Sequence, residues 1–392
     1  MTPAALLQIT VRADIGGGPE HLHQLLAHLP DRYEAHVACP DEQPYRQRFA
    51  SVVGAGRLVD VPHRAFSRTA LLDLAREVRA RDVALIHSHG KGAGVYGRLL
   101  SALTGKPAVH TFHGLHVGGY GRAATLAYLG VEALLGLRTA AAICVSEGER
   151  RQIAGTGVVA PSKLRVIENG VATPPLRAAE PADDRLHIVA VNRFDVQKNP
   201  DLILDIAGWL RADPASPAFR ITVLGTGERL AACREAAMAR GLADCVHFAG
   251  PCAAPRAVFR TAHAFLSTSR WEGMPLAVLE AMSEGLPVVA TDVVGNRDVV
   301  AHGVNGFLFP SQDGAAGADA VRRLADRALR LSFGRTGRRL TEERFSVARM
   351  AQRTAEVYDQ VLARSSGRAS GVLRPHRMSP ARAERAVETH SP

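Results

Sequence analysis

The 392-residue chain contains no apolar run near the roughly 18–20 residues that a membrane-crossing helix needs. Its longest oily stretch, 123–137, is interrupted by Glu132; it could lie on a membrane, but a packed core helix is the reading expected here. The N-terminus lacks a basic segment followed by an apolar core and a cleavage site, and residues 6–11 read as a first strand instead. Cysteine is scarce: Cys39, Cys144, Cys233, Cys245 and Cys252 are all there is. None forms a Cys-x-x-Cys pair or sits at zinc spacing with histidine, which points to buried, reduced thiols and a cytoplasmic chain. No Asp-x-Asp pair occurs anywhere. Gly225-Thr-Gly227 follows a strand but lacks the third glycine and the distal acid of a dinucleotide fingerprint, which argues against a nicotinamide enzyme.

What remains is the composition of a folded chain, 46% hydrophobic and 22% charged, long enough to bury two cores. The net charge of +10 is uneven: residues 1–172 carry 19 basic against 14 acidic side chains, 173–363 carry 23 against 22, and 364–392 carry 6 against 2. A basic first half beside a neutral second half suits an anionic surface met by the first half alone; ordinary solvated arginines explain it equally well.

Strand-like and helix-like segments alternate, the signature of parallel sheets with helices on both faces. Strands are expected at 6–11, 35–39, 57–61, 83–87, 108–112, 141–145 and 164–167, then at 186–191, 220–224, 246–249, 264–267 and 287–290. Ser146 with Glu149 three residues on reads as a capping box. The proline-rich stretch 173–184 breaks the pattern as a linker. It separates a first doubly wound α/β domain, 1–172, from a second, 185–345. The tail, 364–392, has almost no aliphatic residues and is expected to be disordered.

The densest signal is Ser269-Arg-Trp-Glu272-Gly273-Met274-Pro275-Leu276-Ala-Val-Leu-Glu280, which follows a strand and opens a helix with Pro275 as its first residue. Free backbone N–H groups around Gly273, Met274 and Leu276 make an anion site suited to a diphosphate. Glu272 and Glu280 flank it as hydrogen-bond acceptors for polyol hydroxyls. Eight helical residues span about 12 Å, too far for the paired carboxylates of a hydrolase, which face one bond at about 5–9.5 Å. Gly16, Gly17 and Gly18 follow the first strand and let backbone approach a ligand closely. His87 and His89 face one way at i, i+2 spacing, but no carboxylate or cysteine lies near in sequence, so loop histidines are expected rather than a metal site.

The Glu272-x7-Glu280 segment, with Gly-Leu-Pro-Val-Val-Ala-Thr after it, resembles the donor-binding signature of retaining glycosyltransferase family 4. The resemblance runs from about residue 8 to about 362. It implies two Rossmann-like domains facing across a cleft (the GT-B fold), with a helix at 346–363 returning to the first. It implies that Glu280 binds ribose and Glu272 the donor sugar, and that Arg193 and Lys198 hold the diphosphate. Gly225 and Gly227 would line the base pocket, Gly16–Gly18 would reach toward phosphate and acceptor, and His113 would be the active-site histidine. Asn192 stands where the family has glycine, and Glu168-Asn-Gly-Val carries glutamate in place of proline. The implied activity is hexosyl transfer from a UDP- or GDP-sugar to a glycan or lipid-linked acceptor in polysaccharide biosynthesis. No metal or other cofactor is expected, and peripheral contact with an anionic inner membrane would fit. A nucleotide-sugar epimerase of the same fold and a non-catalytic nucleotide-sugar-binding module stay open.

Overall fold

The computed structural model describes residues 2–115, 121–175, 181, 184–252 and 254–371. Seven strands make the first sheet: β1 (Ala4–Ile9), β2 (Tyr33–Cys39), β3 (Leu58–Asp60), β4 (Leu85–His89), β5 (Ala108–Thr111), β6 (Thr139–Cys144) and β7 (Leu164–Val166), in the order β3-β2-β1-β4-β5-β6-β7. Six make the second: β8 (Leu186–Val191), β9 (Phe219–Leu224), β10 (Val246–Gly250), β11 (Ala264–Ser267), β12 (Val288–Thr291) and β13 (Gly306–Phe309), in the order β10-β9-β8-β11-β12-β13. Every pairing is parallel. Strands covered on both faces read as near-continuous apolar runs, as Leu-His-Ile-Val-Ala-Val in β8 does. The result is the expected pair of Rossmann-like sheets.

Strand order reverses between β1 and β4 in one sheet and between β8 and β11 in the other. Ligand crevices of open α/β sheets lie beyond the strand C-termini at such switch points. The loops placed there carry Gly16–Gly18 after β1, His113 after β5, Arg193 and Lys198 after β8, and Glu272 after β11.

Helix Val347–Gly371 completes the first core, where Val347, Met350, Ala351, Ala355, Tyr358 and Val361 pack with Leu6, Leu85, Val109 and Ile143. Gln8 Nε2 donates to the Tyr358 hydroxyl (3.1 Å), which lies 2.6 Å from His87 Nδ1. Thr111 Oγ1 lies 2.8 Å from His87 Nε2, so both ring nitrogens of His87 have hydrogen-bond partners.

Several expectations are corrected. β13 was not anticipated; it is a four-residue Gly-Phe-Leu-Phe edge strand with no alternation to announce it. The last helix continues past Arg364, where the tail was expected to begin; residues 372–392, and most of the expected linker at 176–180 and 182–183, lie outside the described residues. Only half of the capping box forms. Ser146 Oγ accepts from Glu149 N (3.0 Å), but the Glu149 carboxylate turns to Val145 N (2.6 Å) and Gly114 N. Pro275 is the N-cap, and the helix is Leu276–Ser283. Of the cysteines, four are buried, Cys252 is half-buried, and all five are free thiols.

The sharpest correction concerns helix Arg122–Leu137. Glu132 is buried, together with Leu135 and Gly136, and three leucines are outside: Leu126, Leu134 and Leu137 are 71%, 69% and 75% exposed. Glu132 makes a bidentate pair with the fully buried Arg98, at 2.7 and 3.2 Å, and Arg98 Nε also donates to the Gly94 carbonyl at 2.8 Å. Removing one partner of a buried pair strands the other charge, at a cost of about 3–5 kcal/mol. Urea denaturation of Glu132→Ala is therefore expected to show a loss of that size, and Arg98→Met/Glu132→Leu a much smaller one.

Candidate functional site

The two sheets meet through their loops. A Cβ on Gly273 would lie 2.8 Å from the Gly114 nitrogen and 3.0 Å from the His113 carbonyl carbon, so only glycine lets the loop after β11 reach the loop after β5. Gly295 backs the same turn at φ 85°, where a Cβ would fall 2.7 Å from the Gly273 oxygen. Beside this contact a cavity of about 230 Å³ is lined by Gly114 and Leu115 on one side and by Arg270, Trp271, Glu272 and Val294 on the other.

Asn169 ties the junction together. Its Nδ2 donates to the Met274 carbonyl (2.9 Å), its N–H to Met274 Sδ (3.2 Å), and its Oδ1 lies 2.9 Å from His21 Nδ1. Gly170 next to it abuts Ser346 and Val347 too closely for any side chain. Glu168, in the place where the resemblance implies proline, pairs with Arg344.

On the donor side Glu272 accepts from Ser269 Oγ (2.6 Å) and makes an ion pair with Lys198. The Lys198 loop is pinned by its own carbonyl, which accepts from Asn192 Nδ2 (3.1 Å) and Thr268 Oγ1 (2.9 Å). Asn192 thus has a reason to replace glycine. Arg193 pairs with Asp195 and donates to Gln197 Oε1 at 2.8 Å. Gly225 and Gly227, both at positive φ, press against the backbone of Asn192 and Phe194, where a Cβ would stand 2.0 and 2.7 Å from their carbonyl oxygens. Close packing alone accounts for these two glycines.

Glu280 has a different set of neighbours. Burial pushes its carboxyl up to about 7, opposed by Arg256 and reinforced by Glu20 and Glu284. Glu20 belongs to the first domain, so Glu280 looks across the cleft while Glu272 is held by Lys198. The two glutamates thus have separate sets of neighbours. Gly17 approaches the same region, its Cβ position lying 3.6 Å from Leu276 Cδ1; Gly16 is extended at the helix N-cap, and Gly18 has open space.

His113 sits at φ 59°, two residues beyond β5. Its ring meets His21 edge-on at 4.5 Å and stacks on His89 at 5.7 Å between centroids. His87 and His89 are buried members of β4, not loop residues. Burial holds His21 down to about 4, with the Asn169 bond opposing, and holds His87, His89 and His110 well below the ordinary histidine range.

Two functional candidates escaped the sequence reading. Glu149, fully buried and raised to about 7 by desolvation against two backbone N–H donors, clamps Gly114 N to Val145 N and so fixes the His113 turn. Arg64, at φ 47°, has its pKa lowered by burial and by the charges of Arg12 and Arg193, opposed by Asp14 and Glu42. Neither has a motif; only the fold assembles them. Gly273→Ala is expected to spread the two loops and reduce kcat/KM by about 100-fold, the scale of an ångström-level misplacement, with the thermal midpoint little changed; a steady-state assay beside a melt checks this.

Residues 15–173 match the model described as Glycosyltransferase Family 4, and residues 185–327 that described as Glycosyl transferases group 1. UDP-Gal:alpha-D-GlcNAc-diphosphoundecaprenol alpha-1,3-galactosyltransferase of Escherichia coli is 24% identical over 74% of this chain and 78% of its own. Alpha-maltose-1-phosphate synthase of Mycolicibacterium smegmatis is 29% identical over 74% and 82%. Among solved structures, Anabaena HepE in complex with UDP and glucose superimposes with a TM-score of 0.78 at 18% identity, covering 91% of this chain and 100% of that one. The fold, the paired family matches and these relatives agree: the chain is a glycosyltransferase and belongs to family 4.

Proposed function

We propose that the enzyme moves a hexose-type sugar from a UDP- or GDP-linked donor to a glycan or lipid-linked acceptor, with retention of anomeric configuration and without a metal ion. The observation that carries this reading is the Lys198–Glu272 pair beside the contact of Gly273 with His113 and Gly114. On this reading it supplies a cation for the diphosphate and an acceptor for sugar hydroxyls beside the turn that carries His113. The acceptor hydroxyl attacks the anomeric carbon from the side of the leaving group, the bond to the diphosphate breaks, and the departing phosphate oxygen takes the proton. Arg193 and Lys198 stabilise the negative charge that grows on that oxygen, in place of a metal.

Front-face attack is favoured because the nearby first-domain carboxylates are engaged elsewhere. Glu149 holds two backbone N–H groups; Glu20 accepts from Tyr45 (2.6 Å) and Gln24 (2.6 Å) and pairs with Arg48; Asp14 pairs with Arg12. A lipid-linked acceptor is supported by the Escherichia coli relative, whose name includes diphosphoundecaprenol. No helix of the described residues is long and apolar enough to cross a membrane. The outward leucines of helix Arg122–Leu137 instead suit the surface of an anionic bilayer, with Arg122 and Arg138 at its ends. Leu129 of that helix packs in the same cluster as Leu115 of the His113 loop, which would put the bilayer next to the site.

Four measurements test these statements. A UDP- or GDP-sugar is expected to raise the melting temperature of the wild type but not of Glu280→Ala; if no nucleotide stabilises the wild type, the reading fails, and an inverted product by NMR would sink retention alone. Because the free Glu280 carboxyl is neutral below about 7, nucleotide affinity is expected to strengthen as pH rises through that value. Glu280→Gln flattens this profile and weakens binding about 10- to 100-fold at pH 8, the cost of charge-assisted hydrogen bonds. In flotation assays the wild type is expected to accompany phosphatidylglycerol vesicles and Leu126→Ser/Leu134→Ser/Leu137→Ser to stay behind; equal flotation of both would remove the bilayer contact.

A further inference from the structure

Among the described residues, His21, His89 and His113 each place one ring nitrogen within 4.8 Å of one on the other two. They come from three separate places, the helix after β1, the end of β4 and the loop after β5, so no spacing in the chain announces them. What distinguishes the group from a chance gathering of rings is how the remaining nitrogens are held. The Asn169 amide is oriented by its donation to the Met274 carbonyl, so its Oδ1 accepts from His21 Nδ1–H and leaves His21 Nε2 as a lone pair. The Gln8 amide is oriented by its donation to Tyr358, so its Oε1 accepts from His89 Nε2–H at 2.9 Å. That leaves His89 Nδ1 as the lone-pair nitrogen, and it is buried with no hydrogen-bond partner. Metal-binding imidazoles are oriented in this way, with the non-ligating N–H given to an amide or carboxylate oxygen that fixes the tautomer.

We propose that His21, His89 and His113 capture a divalent cation of the zinc class, and that its occupation reversibly switches sugar transfer off. Imidazole nitrogens suit zinc, copper and nickel, whereas magnesium and calcium take oxygen ligands. Zinc–nitrogen bonds of about 2.0–2.1 Å put tetrahedral ligand atoms about 3.4 Å apart. Rings as far apart as 4.8 Å then close by roughly 1.4 Å around the ion. His113 is the half-buried member, so rotation of its side chain on the fixed turn disturbs less packing than movement of His21 or His89. A fourth position of a tetrahedral ion is then left for water or a substrate oxygen. The switching part rests on the reading of His113 as the histidine beside the transferred sugar, because a ring bound to zinc no longer serves the substrate. The transfer reaction itself uses no metal in this scheme; the ion inhibits it.

The test uses the full chain. Titration of the wild type with zinc against a chromogenic chelator is expected to give one ion per chain, with magnesium unable to compete. X-ray absorption of the one-zinc protein is expected to count three imidazoles at about 2.0–2.1 Å. Asn169→Ala, which removes an orienting partner, lowers zinc affinity about 10- to 100-fold; His89→Ala lowers it further, and His302→Ala, in an exposed loop of the second domain, leaves it unchanged. Fewer than three imidazoles in the wild-type spectrum, or equal affinity in His89→Ala and wild type, overturns the site, and the spectrum decides even if the variants fail to fold. Neither readout needs a sugar donor, so the site stands or falls apart from the transfer reading. Zinc that fills the site while transfer continues, or inhibition that EDTA does not relieve, overturns the switch.

Discussion

The absence of one side chain, at Gly273, governs how the halves of this enzyme address each other. Its α-carbon faces the peptide between His113 and Gly114 at a separation no Cβ tolerates. Because of that approach, the turn that carries Glu272 and the turn that carries His113 form opposite walls of one crevice. Each turn has its own support. Glu149 spends its buried carboxylate on Gly114 N and Val145 N, and Asn169 spends its amide on Met274 and His21. Desolvating Glu149 raises its pKa to about 7 and is costly on its own terms. Two backbone donors offset part of that cost, and a fixed His113 turn is what the arrangement supplies.

The same logic explains the histidines. Four aromatic nitrogen heterocycles, His21, His87, His89 and His110, lie deep in the first domain around the half-buried His113. Burial keeps them from protonating, so the site gains no fixed positive charge from them. His87 is saturated by Tyr358 and Thr111, which makes it a structural link between β4, β5 and the returning helix. His89, on the same face two residues on, has one nitrogen committed and one open. A shared strand and a shared face have thus produced one cross-brace and one unsatisfied ligand atom.

Legibility from sequence followed the range of the interactions. Both sheets were readable because buried parallel strands carry continuous apolar runs, and the Glu272–Glu280 segment was readable because strand, turn and helix lie together in the chain. β13 was not, since a four-residue strand containing glycine leaves no periodicity. The helix from Arg122 was expected to pack in the core, with Glu132 as an interruption; a partner 34 residues away, Arg98, makes Glu132 a buried residue, while Leu126, Leu134 and Leu137 stay outside. Glu149 looked like half of a local capping box, and its carboxylate was claimed instead by Gly114, 35 residues distant. Arg64 and the histidine group depend on loops that meet only after both sheets have formed. Local grammar was visible, and long-range electrostatics was not.

The Lys198–Glu272 pair shows how such electrostatics would serve the proposed transfer. Both groups are largely withdrawn from water, and without donor each neutralises the other. An incoming diphosphate offers Lys198 a competing anion with more negative charge than one carboxylate. As the lysine swings its interaction toward phosphate, Glu272 loses a cation and keeps only the Ser269 hydroxyl, so its lone pairs become available to sugar hydroxyls. Desolvated charges are expensive to leave unpaired, and that expense couples the two recognition events. A nucleotide without its sugar would release Glu272 to nothing, whereas a complete donor satisfies both ends. In the proposed transfer the enzyme would discriminate nucleotide-sugar from nucleotide through the Lys198–Glu272 pair, which the donor would have to replace in full.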